Sequence, residues 1–145
     1  MAESVMIYTD GACSGNPGRG GWCAILSYKG KEKVLYGGKE DTTNNHMELL
    51  AVVSALNALK SSQTVTVVSD SKYVCDAINK QWLYNWAKGG SIDNRPNGQL
   101  WKELLLLITL HDVTFEWVKG HDGHLENERC DKIASAIAQG KESVV

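Results

Sequence analysis

No two cysteines in this 145-residue chain stand at a CxxC or metal-knuckle spacing; Cys13, Cys23, Cys75 and Cys130 are scattered. That argues against a zinc site and predicts reduced thiols that serve as small core residues. Excess charge is also missing: 15 Lys and Arg against 17 Asp and Glu leave a net charge of −2. No global basic field marks a nucleic-acid partner, so any such partner must be held by a local patch. A long hydrophobic run is absent as well. The greasiest stretch, "LWKELLLLITL", falls well short of the ~20 apolar residues a membrane-spanning helix needs, and it carries Lys102 and Glu103. The opening "MAESVMIYTDG" has neither a basic n-region nor an apolar h-region, so no signal peptide is expected, no membrane partner, and a cytoplasmic location. The glycine-rich "GACSGNPGRGG" lacks the GK[ST] ending of a Walker loop. With no repeat, linker or low-complexity segment, the expectation is one domain over residues 1–145, with 139–145 a frayed tail.

What is present is an ordinary soluble composition, 43% hydrophobic and 22% charged, arranged with two different periods. "VMIYTD", "WCAILSYK" and "KVLYGG" are short, rich in β-branched and aromatic residues, and divided by glycine-bearing turns. They predict an antiparallel three-stranded meander. In "NNHMELLAVVSALNALK", Leu49, Val52, Val53, Leu56 and Leu59 switch to helical spacing. "TVTVVSD" predicts a fourth strand, "SKYVCDAINKQW" and "QLWKELLLLITLH" further helices around the break "DNRPNG", "DVTFEWVKG" a fifth strand, and "NERCDKIASAIAQ" a closing helix. A helical crossover between the third and fourth strands implies parallel pairing of the fourth. The fold class is therefore α/β, a mixed sheet with helices on both faces, in which ligands gather beyond strand ends.

Four acids invite weighing. Asp10, at the end of the first strand before Gly11, fits a turn residue bonding its own backbone. Glu48 fits a capping box with Asn45 as N-cap. Asp70 fits the N-cap of the helix that follows. Asp131, early in the last helix, fits a favourable interaction with the helix dipole. Each local explanation suffices alone, but none predicts that the four meet. If the first and fourth strands are parallel neighbours, Asp10 and Asp70 lie side by side and the first turn of the crossover helix leans Glu48 over them. Two carboxylates ~4 Å apart repel by about 4 kcal/mol at an effective dielectric of ~20, so such a cluster needs protons or cations. Oxygen donors without thiolate or imidazole select Mg²⁺ or Mn²⁺. Paired ions about 3.5–4 Å apart form a clamp for in-line phosphoryl chemistry.

"YTDGACSGNPGRGGW", "TTNNHMELLAV", "SDSKYV" and "WVKGHDGHLENERCDKIA", in this order and spacing, resemble bacterial ribonuclease H type 1 over nearly the whole chain. The resemblance implies a ribonuclease H-like fold with a five-stranded mixed sheet, and a monomer without an obligate protein partner. It implies metal-dependent endonucleolytic cleavage of the RNA strand of an RNA–DNA hybrid, with Mg²⁺ as cofactor and Mn²⁺ as a substitute, leaving 3′-hydroxyl and 5′-phosphate ends. By motif, Asp10, Glu48, Asp70 and Asp131 are the metal-binding catalytic acids. His121, in the glycine-flanked "KGHDGH", matches a loop histidine that assists proton transfer or product release. Glu128 is a helper near the metals or a first-turn helix acid. His46, His111 and His124 read as structural or surface residues.

Recognition of 2′-hydroxyls needs neutral polar groups. Asn16, Thr43, Asn44 and Asn45 are of that type and match hybrid-contacting loops, although turn and cap chemistry also explains them. Ser71 and Tyr73, after Asp70, are further candidates, Tyr73 equally a core residue. Trp82 corresponds to the aromatic that packs on the DNA strand's sugars, once Lys80 is read as an insertion before Gln81. Trp22, Trp86, Trp101 and Trp117 read as core. Many bacterial members of the family it resembles carry a lysine-rich handle where residues 80–98 here have Lys80, Lys88 and Arg95, offset by Asp93 and by the nearby Asp76. Two other readings stay open on the residues: a hybrid- or RNA-binding module without turnover, and a different phosphoryl-transfer enzyme of related architecture.

Overall fold

The computed structural model describes residues 4–119 and 125–140. Strands β1 (Val5–Gly15), β2 (Gly18–Tyr28) and β3 (Lys31–Thr42) lead to helix α1 (Asn44–Asn57). Then come β4 (Thr64–Ser69), α2 (Lys72–Asn79), α3 (Trp82–Lys88), a 3-10 turn (Ile92–Asn94), α4 (Gly98–Leu110), β5 (Asp112–Trp117) and α5 (Leu125–Ala138). The five strands run in the order β3-β2-β1-β4-β5. The β1–β2 and β2–β3 pairs are antiparallel, the β1–β4 and β4–β5 pairs parallel. The expected mixed sheet is thus present, with helices on both faces.

Alternation along the strands assigns each face its cover. Ile7, Ala24, Val65 and Val67 pack with Leu49, Val52 and Leu56 of α1 and Trp101 and Leu104 of α4. Tyr8, Cys23, Ile25 and Val68 pack with Cys130, Ile133, Ala134 and Ile137 of α5. Helix α5 lies so close to β2 that a Cβ on Gly21 would stand 2.3 Å from the Ala134 carbonyl oxygen. Its end is tied to the β1–β2 hairpin, because Ser14 Oγ donates to the Ala138 carbonyl at 2.7 Å and Arg19 Nε to that of Ile137 at 3.1 Å. These satisfy carbonyls that a helix end leaves without an internal partner.

Several boundaries differ from the sequence reading. The first three strands are longer than their apolar stretches, since the hairpin ladder continues through Gly11↔Trp22 to Gly15↔Gly18. Asp10 therefore lies inside β1, not at its end. The stretch from Ser71 to Trp82 spans α2 and the first residue of α3, divided at Gln81, whose backbone is left-handed (φ 65°). Three cysteines are buried as expected, while Cys13 is half-buried on the wall of a cavity. Residues 141–145 of the expected tail lie outside the described residues, whereas Gln139 and Gly140 close α5 with hydrogen bonds to Ser135 and Ile137. Among the described residues, no helix is long and apolar enough to cross a membrane.

Candidate metal centre and nucleic-acid grooves

The parallel β1–β4 register runs from Val5↔Val65 to Thr9↔Ser69, which sets Asp10 level with Asp70. Asp10 shares the sheet face of Tyr8 by strand alternation, and Asp70 lies one residue past the end of β4. Glu48 arrives from α1, whose start is pressed against β1 at Gly11. A Cβ there would stand 2.5 Å from both Glu48 N and Met47 C, so the glycine permits the helix backbone to approach. Gly11→Ala is expected to cost about 3 kcal/mol of stability, because backbone and not a flexible side chain must move. Divalent-metal affinity should fall with it, as Glu48 is pushed from its neighbours; thermal unfolding and Mn²⁺ titration of one preparation check both.

One oxygen from each of Asp10, Glu48 and Asp70 falls within a set whose members all lie within 4.8 Å of one another. Asp10 and Glu48 are each only 6% exposed. Burial, then the Asp70 and Asp131 carboxylates, pushes the Asp10 pKa up from 3.8 to about 8. Burial, then Asp10 and Asp70, raises that of Glu48 well above its ordinary value. Without cations the cluster thus retains protons shared between carboxyls near neutral pH. Glu48 Oε2 is buried without a hydrogen-bond partner, while Asp10 Oδ1 accepts the Gly11 N–H at 2.9 Å. An all-oxygen donor set holding a desolvated, unpartnered oxygen fits a hard divalent cation. Asp131 lines the same cavity, of about 320 Å³, beside Asp10 but outside that tight set. Ser135 Oγ donates to its Oδ1 at 3.4 Å.

Three local explanations fail on this geometry. The N-cap of α1 is Thr43, whose side chain accepts the His46 N–H, so Glu48 stands beyond the first turn and Asn45 is not the cap. The N-cap of α2 is Ser71, not Asp70. Asp131 lies past the first turn of α5, whose first-turn acids are Glu126 and Glu128. Helix-dipole effects fade within that turn.

The candidate contact residues divide between two grooves. Asn44 lines the acidic cavity together with Glu128. Asn16, Thr43, Asn45 and Trp82 line a second, more apolar groove of about 460 Å³, with Tyr73, Trp86 and Arg95. Asn16 Oδ1 accepts the Asn44 N–H at 3.2 Å and so joins the β1–β2 turn to the start of α1. Ser71 lines neither groove; it is buried and its hydroxyl accepts the Val74 N–H. Tyr73 anchors the second groove, its hydroxyl accepting from Asn97 Nδ2 and Trp101 Nε1. His46 closes that network through Asn97, and His111 is buried with its Nδ1 accepting the Gln63 N–H, both structural as expected. His121 and His124 lie outside the described residues.

Sequence reading missed Asn127, which faces the acidic cavity one helical repeat before Asp131. Its Nδ2 donates to the Val68 carbonyl at 3.2 Å, and its Oδ1 is buried without a partner. The i, i+4 spacing was the available signal. Trp22 and Trp86 pack against the core and Trp101 is buried. Trp117, expected in the core, is instead 41% exposed.

The RNase H family model matches residues 2–139. The chain belongs to the RNase H family. It is 57% identical over 136 residues to Ribonuclease H of Agrobacterium fabrum, covering 91% of this chain and 92% of that protein. It is 56% identical over 138 residues to Ribonuclease H of Mesorhizobium japonicum, covering 92% of this chain and 77% of that protein. Among solved structures it resembles LC9-RNase H1, described as a type 1 RNase H with the type 2 active-site motif. There the TM-score is 0.83 at 27% identity, over 98% of this chain and 75% of that one. The N-terminal RNase H domain of rv2228c from Mycobacterium tuberculosis, solved as a fusion with maltose-binding protein, shares the fold. Its TM-score is 0.74 at 20% identity, over 94% of each chain. RNase H enzymes act on RNA–DNA hybrids with divalent metals, and the carboxylate cluster of this family member stands in keeping with that requirement.

Proposed function

We propose that this chain is a single-domain, monomeric, cytoplasmic endoribonuclease that hydrolyses the RNA strand of RNA–DNA hybrids, with Mg²⁺ as its working cofactor and Mn²⁺ as a substitute. The observation that carries this reading is the convergence of Asp10, Glu48 and Asp70 oxygens within 4.8 Å, with a buried Glu48 oxygen that lacks any partner. Asp10, Glu48 and Asp70 would hold the ions, with Asp131 completing the set from the cavity wall. When bound, divalent ions supply an activated water and a stabilised leaving oxygen, giving 3′-hydroxyl and 5′-phosphate ends. The protein's own contribution is to desolvate the carboxylates and to hold them on two parallel strands and a helix, so that no reorganisation is needed at reaction. His121 is assigned proton handling from its motif.

The two grooves suit a double-stranded ligand. Asn44 sits by the acids where the RNA strand must lie, and Asn16, Thr43, Asn45 and Trp82 flank the neighbouring aromatic groove for the DNA strand. A module that only binds has no use for buried, mutually repelling anions facing a polyanion. The direct test is end-labelled hybrid incubated with Mg²⁺, beside RNA duplex, DNA duplex and an EDTA control. RNA-strand cleavage confined to the hybrid and abolished by EDTA is expected; cleavage that survives EDTA, or equal cutting of DNA duplex, sinks the proposal.

The handle region predicts a weak electrostatic grip. Lys80 pairs with Asp76 at 3.7 Å and Lys102 with Asp93. The Arg95 guanidinium lies 3.9 Å from the Trp86 ring centroid. Cations already engaged within the protein give up less counterion-release energy on binding. Hybrid affinity measured against salt should therefore fall less steeply than for a lysine-rich relative, by roughly 0.9 in log–log slope for each phosphate contact not made. Equal slopes in a side-by-side titration would refute this.

A further inference from the structure

Trp117 is a large aromatic left 41% exposed, next in sequence to Val118 of the acidic cavity's wall, and its two polar contacts explain its place. The parallel β4–β5 ladder ends at Ser69↔Trp117, and the Val118 N–H reaches back to the Ser69 carbonyl at 2.9 Å. Asp70 follows directly, one residue past the end of β4. Within its own segment Asp70 is flanked by two local ties: Ser69 Oγ accepts the Ser71 N–H at 3.0 Å, and Ser71 caps α2. These shape the turn. A tie from β5 comes from Trp117, whose indole Nε1–H donates to the Asp70 main-chain carbonyl at 3.0 Å. The Lys72 ammonium, 4.9 Å from the Trp117 ring centroid, covers the ring and favours this orientation.

We infer that Trp117 is a positioning residue for the metal centre, its indole N–H fixing the Asp70 backbone so that the carboxylate can share an ion with Asp10 and Glu48. The inference rests on the metal-site reading proposed above. Trp117 touches neither an ion nor the reacting phosphate; it acts through Asp70. Outer partners of this kind set metal affinity through ligand orientation. The Lys72 stack has a further consequence: the aromatic ring holds a cation two residues from Asp70 without consuming a ligand carboxylate.

The test uses the whole metal-free chain and a readout independent of turnover. Mn²⁺ is titrated calorimetrically into the wild type, Trp117→Phe and Asp70→Asn, and melting temperatures are recorded for each. Trp117→Phe keeps an aromatic ring under Lys72 but removes the N–H. Its Mn²⁺ dissociation constant should rise by about tenfold, the low end for outer-shell partners. Its melting temperature should change by only ~2 °C, since one partly exposed hydrogen bond is lost. In hybrid cleavage, the half-saturating Mn²⁺ concentration should move by the same factor while kcat at saturating metal stays within about twofold. Unchanged Mn²⁺ affinity in Trp117→Phe, with Asp70→Asn impaired, overturns the positioning role and leaves the nuclease reading intact. Equal Mn²⁺ binding by the wild type and Asp70→Asn overturns the metal-site reading and this inference with it. Should Trp117→Phe fold poorly, benzothienylalanine at position 117, which replaces the indole N–H by sulfur in the same shape, decides between the same outcomes.

Discussion

Asp10→Asn should abolish cleavage of RNA–DNA hybrid, lowering the rate by roughly 10³-fold or more, while making the metal-free protein more stable. The two effects share one cause. Asp10 is buried in a set of converging carboxylates and has its pKa raised to about 8, by burial first and by Asp70 and Asp131 next. A neutral amide of the same shape removes one anion from that set. Repulsion between carboxylates ~4 Å apart is about 4 kcal/mol at an effective dielectric of ~20, and shared protons relieve part of it. A gain on the order of 2 kcal/mol, or about 5 °C in melting temperature, is expected for the metal-free variant. Added Mg²⁺ should raise the wild-type melting temperature and leave Asp10→Asn nearly unmoved. An inactive variant that is less stable than the wild type without metal would contradict the repulsion argument. A variant that cuts hybrid at the wild-type rate would contradict the site.

The second large effect is a pH-dependent exchange of protons for metal. Asp10 ionises near 3.8 in an unfolded chain but near 8 in the fold, so between those values the folded state binds more protons. Stability contributed by the protonated carboxyl is complete below the unfolded pKa and is lost as pH rises through the folded one. Glu48 shifts in the same direction. Without metal, stability should therefore fall between pH 4 and 8, by up to about 1.4 kcal/mol per pH unit for one proton, and the melting temperature with it. Divalent ions replace those protons, so the Mg²⁺-induced rise in melting temperature should grow from pH 6 to pH 9. Thermal unfolding across that range, with Mg²⁺ and with EDTA, measures both limbs. A metal-induced shift independent of pH would show that the ions do not compete with protons at these carboxylates.

Much of the architecture was legible because hydrophobic periodicity is a local property. The helical stripe from Leu49 to Leu56 and the β-branched run at Val65–Val68 are each set by neighbours a few residues apart. The long helical link between them implied parallel pairing, and that pairing does bring Asp10 level with Asp70. Boundaries were less legible. Glycine-rich hairpin ends carry no apolar pattern, yet β1 and β2 pair through Gly15↔Gly18 because the partner strand supplies the hydrogen bonds. Caps were misread at Asn45 and Asp70 for a similar reason. Thr43 and Ser71 are equally good acceptors one or two residues away, and the chain's direction on leaving the sheet selected between them.

Trp117 illustrates the remaining gap. An aromatic at the end of a predicted strand reads as core, since burial is its commonest fate. Only the ends of β4 and β5, brought side by side, reveal a carbonyl at Asp70 within reach of its N–H and a lysine above its ring.

By itself, the sequence determined which segments become strands and helices, which faces are greasy, and the inventory of acids available for chemistry, because each depends on spacing along the chain. Tertiary structure decided which of those acids share an ion-sized space, how their proton affinities rise, and which neighbours hold them. Such properties follow from distances between remote segments and from the removal of water, and neither is written in any local pattern.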